Sequence, residues 1–111
     1  MNASLPLQKS LKVGTLAFNS GHYWDAHEAW ESAWRTLNGP DKALLQAYIM
    51  AAGALVLLEK RRPEPARRLA SRFFERMKDG AGAALESALR CEALYETMQR
   101  VGDLSFNALP L

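Results

Sequence analysis

The sequence predicts an all-α fold of about five helices in antiparallel hairpins, with a buried third helix at the centre. Two observations carry that expectation. Turn-forming residues fall at Asn19–Gly21, Asn38–Pro40, Arg61–Pro65 and Asp79–Gly82, between segments whose apolar residues recur every three or four positions. No stretch alternates apolar and polar residues in the two-residue period of a half-buried strand.

The first helix is predicted from about Pro6 to Phe18, with Leu7, Leu11, Gly14 and Phe18 on one face. Pro6 suits a first turn, where its missing N–H is not needed. Asn19-Ser20-Gly21 forms a turn, because Asn and Gly tolerate the left-handed conformation that ends a helix. The second helix covers about His22 to Leu37, and Asn38-Gly39-Pro40 stops it. Asp41 is expected to cap the third helix, which runs to about Lys60. Pro65 opens a fourth helix reaching about Lys78. A fifth, about 83–101, places Leu85, Ala88, Cys91, Tyr95 and Met98 at helical spacing, with Gly102 as its C-terminal cap.

With 111 residues the chain is expected to form one domain around one core. An apolar tail occupies 103–111. That tail carries Leu104, Phe106, Leu109 and Leu111, enough apolar surface to predict a packed contact. The formal charge of +2 is too small to imply a polyanionic partner. A lone cysteine, Cys91, excludes an intrachain disulfide and fits a cytoplasmic setting. The opening MNASLPLQKSLK lacks the basic and apolar blocks of a signal peptide. Ala43–Leu58 is nearly all apolar, but its 16 residues fall short of the roughly 20 that a bilayer core requires. A core helix, with no membrane partner, is the expected account.

The hairpins resemble a degenerate tetratricopeptide repeat. Gly14, Gly21, Tyr23, Ala26, Trp30 and Ala33 fit its offsets, where small residues allow close crossing and aromatics fill the groove. In the second pair Ala66 and Ala70 fit, while Pro63 stands where an aromatic is expected. Two pairs are too few for a concave solenoid surface.

The second helix concentrates the chemistry, and all 3 tryptophans of the chain lie in it. Tyr23, His27, Trp30 and Trp34 gather on one face of a helical wheel, with Trp24 and Glu31 at its edge and Asp25 and Glu28 further round. Such a stripe is first of all core. His27 and Glu31, four apart, can meet. One reading is a histidine satisfied by a carboxylate inside an aromatic wall; the other is a general base or metal ligand. A zinc site needs three or four protein ligands, and the chain has 2 histidines, with His22 more than a turn from the His27 face. Gln46 is the one polar side chain in the apolar run besides its Gly53 gap, either a structural amide or a third polar group facing His27 and Glu31.

Between Lys60 and Lys78 lie 8 of the 14 Lys and Arg residues, against Glu64 and Glu75. Arg68, Arg72 and Arg76 form a basic stripe beside Leu69, Phe73 and Met77. This is the pattern of a solvated amphipathic face; no aromatic interleaving or motif supports a nucleic-acid partner.

At FNSGHYWDAHEAWESAWR, followed by GPDKALLQAYIMAAGALVLL, the chain closely resembles the domain-of-unknown-function 309 family of small helical proteins, over roughly Leu11 to Arg76. Family features fall on Phe18, Asn19, Gly21, Tyr23, Ala26, His27, Glu28, Trp30, Glu31, Trp34, Leu45 and Gln46, with Asp25 in the acidic position before Ala-His-Glu. VGDL, from Val101 to Leu104, is similar to the family's Gly-Val-Asp ending with the order changed. Where many members have a Gly-Asn turn and a histidine, this chain has EKRRPEP. The resemblance implies a helical fold and no established activity, although some family descriptions carry the label of a predicted metal-dependent hydrolase.

Two functional classes follow. The first is a non-enzymatic helical binding or assembly module, homo-oligomeric and most simply a dimer. Its aromatic-walled polar pocket would draw on Asn19, Tyr23, Trp24, Trp30, Trp34 and Gln46. The alternative is a metal-dependent hydrolase with His27, Glu28 and Glu31 as catalytic groups and His27 and Glu31 as metal candidates. Ligand count favours the first. The sequence requires no cofactor, though a divalent metal is compatible with the second class.

Overall fold

The computed structural model describes residues 4–85 and 91–103, with side chains over 6–85 and 94–102. Five helices appear among them and no strand: α1 (Ser4–Asn19), α2 (Tyr23–Trp34), α3 (Gly39–Glu59), α4 (Pro63–Asp79) and α5 (Cys91–Asp103). They pack as a row in chain order, α1 on α2, α2 and α4 on opposite sides of α3, and α5 chiefly on α4. The molecule is correspondingly long, 49 × 25 × 20 Å.

The middle of the row explains the composition of α3. Leu44, Leu45, Ala47, Tyr48, Ala51, Ala52 and Ala54 are buried, because a helix with neighbours on two sides must be apolar on both. At 21 residues, α3 is longer than the apolar run suggested, and by length and composition alone it could cross a membrane. The length argument against a span therefore fails; burial against α2 and α4 supplies the reason for its apolarity instead.

Small residues set the close crossings. A Cβ on Gly14 would overlap the ring of Trp30, so this glycine is the space into which the indole packs. Opposite, Trp30 meets Tyr48 edge-on with centroids 5.5 Å apart, which ties α1, α2 and α3 into one seam. At the far end, a Cβ on Gly80 would stand 2.9 Å from the Leu44 backbone, and Ala66 and Ala70 of α4 are fully buried. Gly53 lies close to Leu69 for the same reason, so the gap it leaves is filled by α4.

Several boundaries differ from expectation. Gly39 and Pro40 open α3 rather than ending the preceding helix, since proline is tolerated in a first turn. Asp41 consequently lies inside the first turn and does not cap it. Its carboxylate accepts instead from the Leu85 N–H at 3.2 Å, tying the start of α3 to the chain beyond α4. Pro63, not Pro65, begins α4. Gly102 lies within α5 rather than capping it, and the buried face of α5 is Leu94, Met98 and Val101, leaving Tyr95 exposed. Between α3 and α4, Arg61 turns at φ 58, a left-handed conformation that Gly or Asn adopts more readily. The packing predicted for Ala88, for the Cys91 side chain and for the tail from Leu104 to Leu111 lies outside the described residues.

Candidate functional site

Helix α2 divides its aromatics between two surfaces. Ala26, Trp30 and Ala33 form the inward stripe, with Trp30 only 2% exposed. Trp30 is thus core rather than the wall of an open pocket. Tyr23 closes the hairpin by meeting Phe18 edge-on at 5.1 Å. Asn19 is exposed at the end of α1.

The other surface is the flank of His27. Trp24 is 58% exposed, yet it lies flat on the His27 imidazole, with ring centres 5.2 Å apart and planes 4° from parallel. Two turns further on, Trp34 is half-buried, with the Lys42 ammonium 4.3 Å from its ring centroid in a cation–π contact. The flank therefore presents an exposed indole, a shielded imidazole and a second indole held from α3.

The carboxylates do not converge on the histidine as expected. Glu31 turns along its own helix and accepts from the Arg35 guanidinium at 3.2 Å, so the His27–Glu31 pair is absent. A neighbouring guanidinium offers more donors than one imidazole N–H. The carboxylate that approaches His27 is Glu28, 3.8 Å from Nδ1, too far for a hydrogen bond. The Nδ1 atom of His27 and the Nε1 atoms of Trp30 and Trp34 are buried, with no hydrogen-bond partner among the described residues. Gln46 is half-buried on α3, and no described hydrogen bond joins it to His27 or Glu31.

These residues do not fit the divalent metal that the hydrolase label implies. With Glu31 turned to Arg35, His27 and Glu28 leave at most two donors, one of them distant. Among the described residues no group of three or more His, Cys, Asp or Glu side chains gathers to hold an ion.

The basic stripe is only partly as predicted. Arg68 and Arg72 are exposed, whereas Arg76 is half-buried and donates to Asp79 at 2.9 Å. A feature missed in the sequence lies beside it: an open groove of about 670 Å³ between α4 and α5, lined by Glu64, Arg67, Arg68, Ala70, Ser71, Phe74, Tyr95, Gln99 and Gly102. The signal for it was the doublet Phe73-Phe74, since adjacent helical residues point about 100° apart and cannot both face one core. Phe73 is fully buried, and Phe74 turns to meet Tyr95 edge-on at 4.9 Å.

No curated protein and no solved structure matches the chain. A family model described as a domain of unknown function (DUF309) matches residues 11–69, from the Leu11 seam of α1 through the early part of α4. That stretch contains the Trp30 seam, the His27 flank and all of α3, and the chain belongs to this family.

Proposed function

We propose that the protein is a non-enzymatic helical module that self-associates through the Trp24 flank of α2 and the adjoining outer face of α1. The observation that carries this reading is the exposure of Trp24, at 58%, on a helix whose other aromatics have found cover. Leu16, 59% exposed, lies across the same Asn19–His22 turn, and Val13 stands one turn earlier at 47%. Exposed apolar residues on the two helices that begin the row favour a contact surface, because the terminal helix of a stack otherwise needs a polar outer face.

The charges argue for a second copy as the occupant. Helix α1 carries Lys9 and Lys12 and no acidic residue, while Trp24 is followed by Asp25 and Glu28. In a two-fold arrangement the basic α1 of each copy would face the acidic start of α2 in the other, the self-complementarity that an isologous dimer requires. A cytoplasmic setting, consistent with the lone Cys91, completes the proposal.

Sedimentation velocity over a concentration series tests it. The wild type should associate, and Trp24→Ser should remain monomeric, melting like the wild type only at dilutions where the wild type is monomeric too. A wild type that stays monomeric at every concentration would overturn the reading. The hydrolase alternative keeps one supporting feature, the shielded Nδ1 of His27. Elemental analysis of untagged protein separates the two: stoichiometric metal that is lost in His27→Ala would replace the module with the hydrolase.

A further inference from the structure

We infer that the groove between α4 and α5 binds a small organic anion that carries a planar ring, a site independent of the Trp24 surface and of self-association. The groove begins with what its floor lacks. Ala70 and Gly102 offer almost no side chain, and Ser71 only a short one, so the space of about 670 Å³ between the helices stays open. That volume lies within the range of small-molecule sites, about 300–1,000 Å³.

The walls differ in chemistry. On one side, successive residues Arg67 and Arg68 of α4 bring two guanidinium groups to the rim, in a segment from Lys60 to Lys78 with 8 basic residues against Glu64 and Glu75. Guanidinium presents paired N–H donors that match phosphate or carboxylate oxygens, and Arg68 is exposed to receive them. On the other side stands Tyr95, 42% exposed and held by Phe74 at 4.9 Å and by Phe73 at 6.3 Å. A ring held by two aromatic neighbours yet partly exposed offers stacking surface with little conformational freedom left to lose. Ser71 and Gln99 add a hydroxyl and an amide to the lining. Glu64, also at the rim, disfavours ligands with more than one anionic group near it and can accept from a ligand hydroxyl or amine. A polyanion is therefore a poorer fit than a compact monoanionic or monophosphoryl ligand.

The same chemistry, an anion beside a ring, occurs in free small molecules and along a nucleic-acid strand, so the test uses both. Phenyl phosphate, inorganic phosphate and a single-stranded oligonucleotide are titrated into the full chain, with amide and side-chain NMR shifts as readout. Phenyl phosphate should saturate, moving Ser71, Phe74, Tyr95 and Gln99 while the three tryptophan indole signals stay fixed. Inorganic phosphate should bind more weakly. Arg68→Gln should weaken phenyl phosphate roughly tenfold or more through loss of a charge-assisted bond, and Arg68→Lys should recover only part of it. Tyr95→Ala should reduce phenyl phosphate to the affinity of inorganic phosphate. Shifts that do not saturate, or that are unchanged in Arg68→Gln, would overturn the site. Tighter binding of the oligonucleotide, steeply dependent on salt, would overturn the small-ligand assignment in favour of a strand.

Discussion

Trp24 and Trp30 stand six residues apart on the same helix, and the protein uses them in opposite ways. Trp30 is 2% exposed, set into the hollow left by Gly14 and against the edge of Tyr48. Trp24 is 58% exposed and touches its own helix through the face of His27. The first has its position fixed from the two neighbouring helices, α1 and α3; the second is held by one stack. An aromatic-rich helix is therefore not uniformly core, and Trp30 is core because Gly14 leaves room for its ring.

The comparison can be broken from the buried side first. Trp30→Ala should cost about 3–5 kcal/mol, the range for removing a large aromatic from a packed core, with a chemical denaturation midpoint as the check. Gly14→Ala should follow at about 1–3 kcal/mol, because its methyl would overlap the same indole and force the seam apart. If Gly14→Ala unfolds like wild type, the ring is not locked there and the contrast with Trp24 weakens.

Polar contacts sharpen the same contrast at smaller scale. Asp41→Ala removes the acceptor for the Leu85 N–H and should cost about 1 kcal/mol, a local loss that shows as faster hydrogen exchange at Leu85. Glu31→Gln should change stability by less than about 0.5 kcal/mol, since its partner Arg35 is 71% exposed and surface pairs of this kind contribute little. A large loss in Glu31→Gln would show that this carboxylate serves the His27 flank after all.

The inward seam was legible in the sequence and the polar pairing was not. Gly14, Ala26, Trp30 and Ala33 fit the repeat offsets and are buried, whereas of the wheel face of Tyr23, His27, Trp30 and Trp34 only Trp30 is fully buried. Hairpins followed from turn residues such as Gly21, whose φ of 82 needs glycine or a near equivalent. A wheel, however, does not rank partners. It placed Glu31 beside His27 and could not show that Arg35, one turn further along, takes that carboxylate instead. Nor could it separate Asp41 as a cap from Asp41 as a tie to Leu85, because the partner lies 44 residues away. The α4–α5 groove depends on how the Phe73-Phe74 doublet splits between core and edge, which only the neighbouring helix decides.

The chain has 3 tryptophans and therefore three indole N–H signals, which makes one dilution series in NMR the most direct test of the division between Trp24 and Trp30. With dilution through the association range, the Trp24 indole should move from its bound toward its free position while the Trp30 indole stays fixed. A Trp24 signal that never changes, or a Trp30 signal that moves as far, would contradict it.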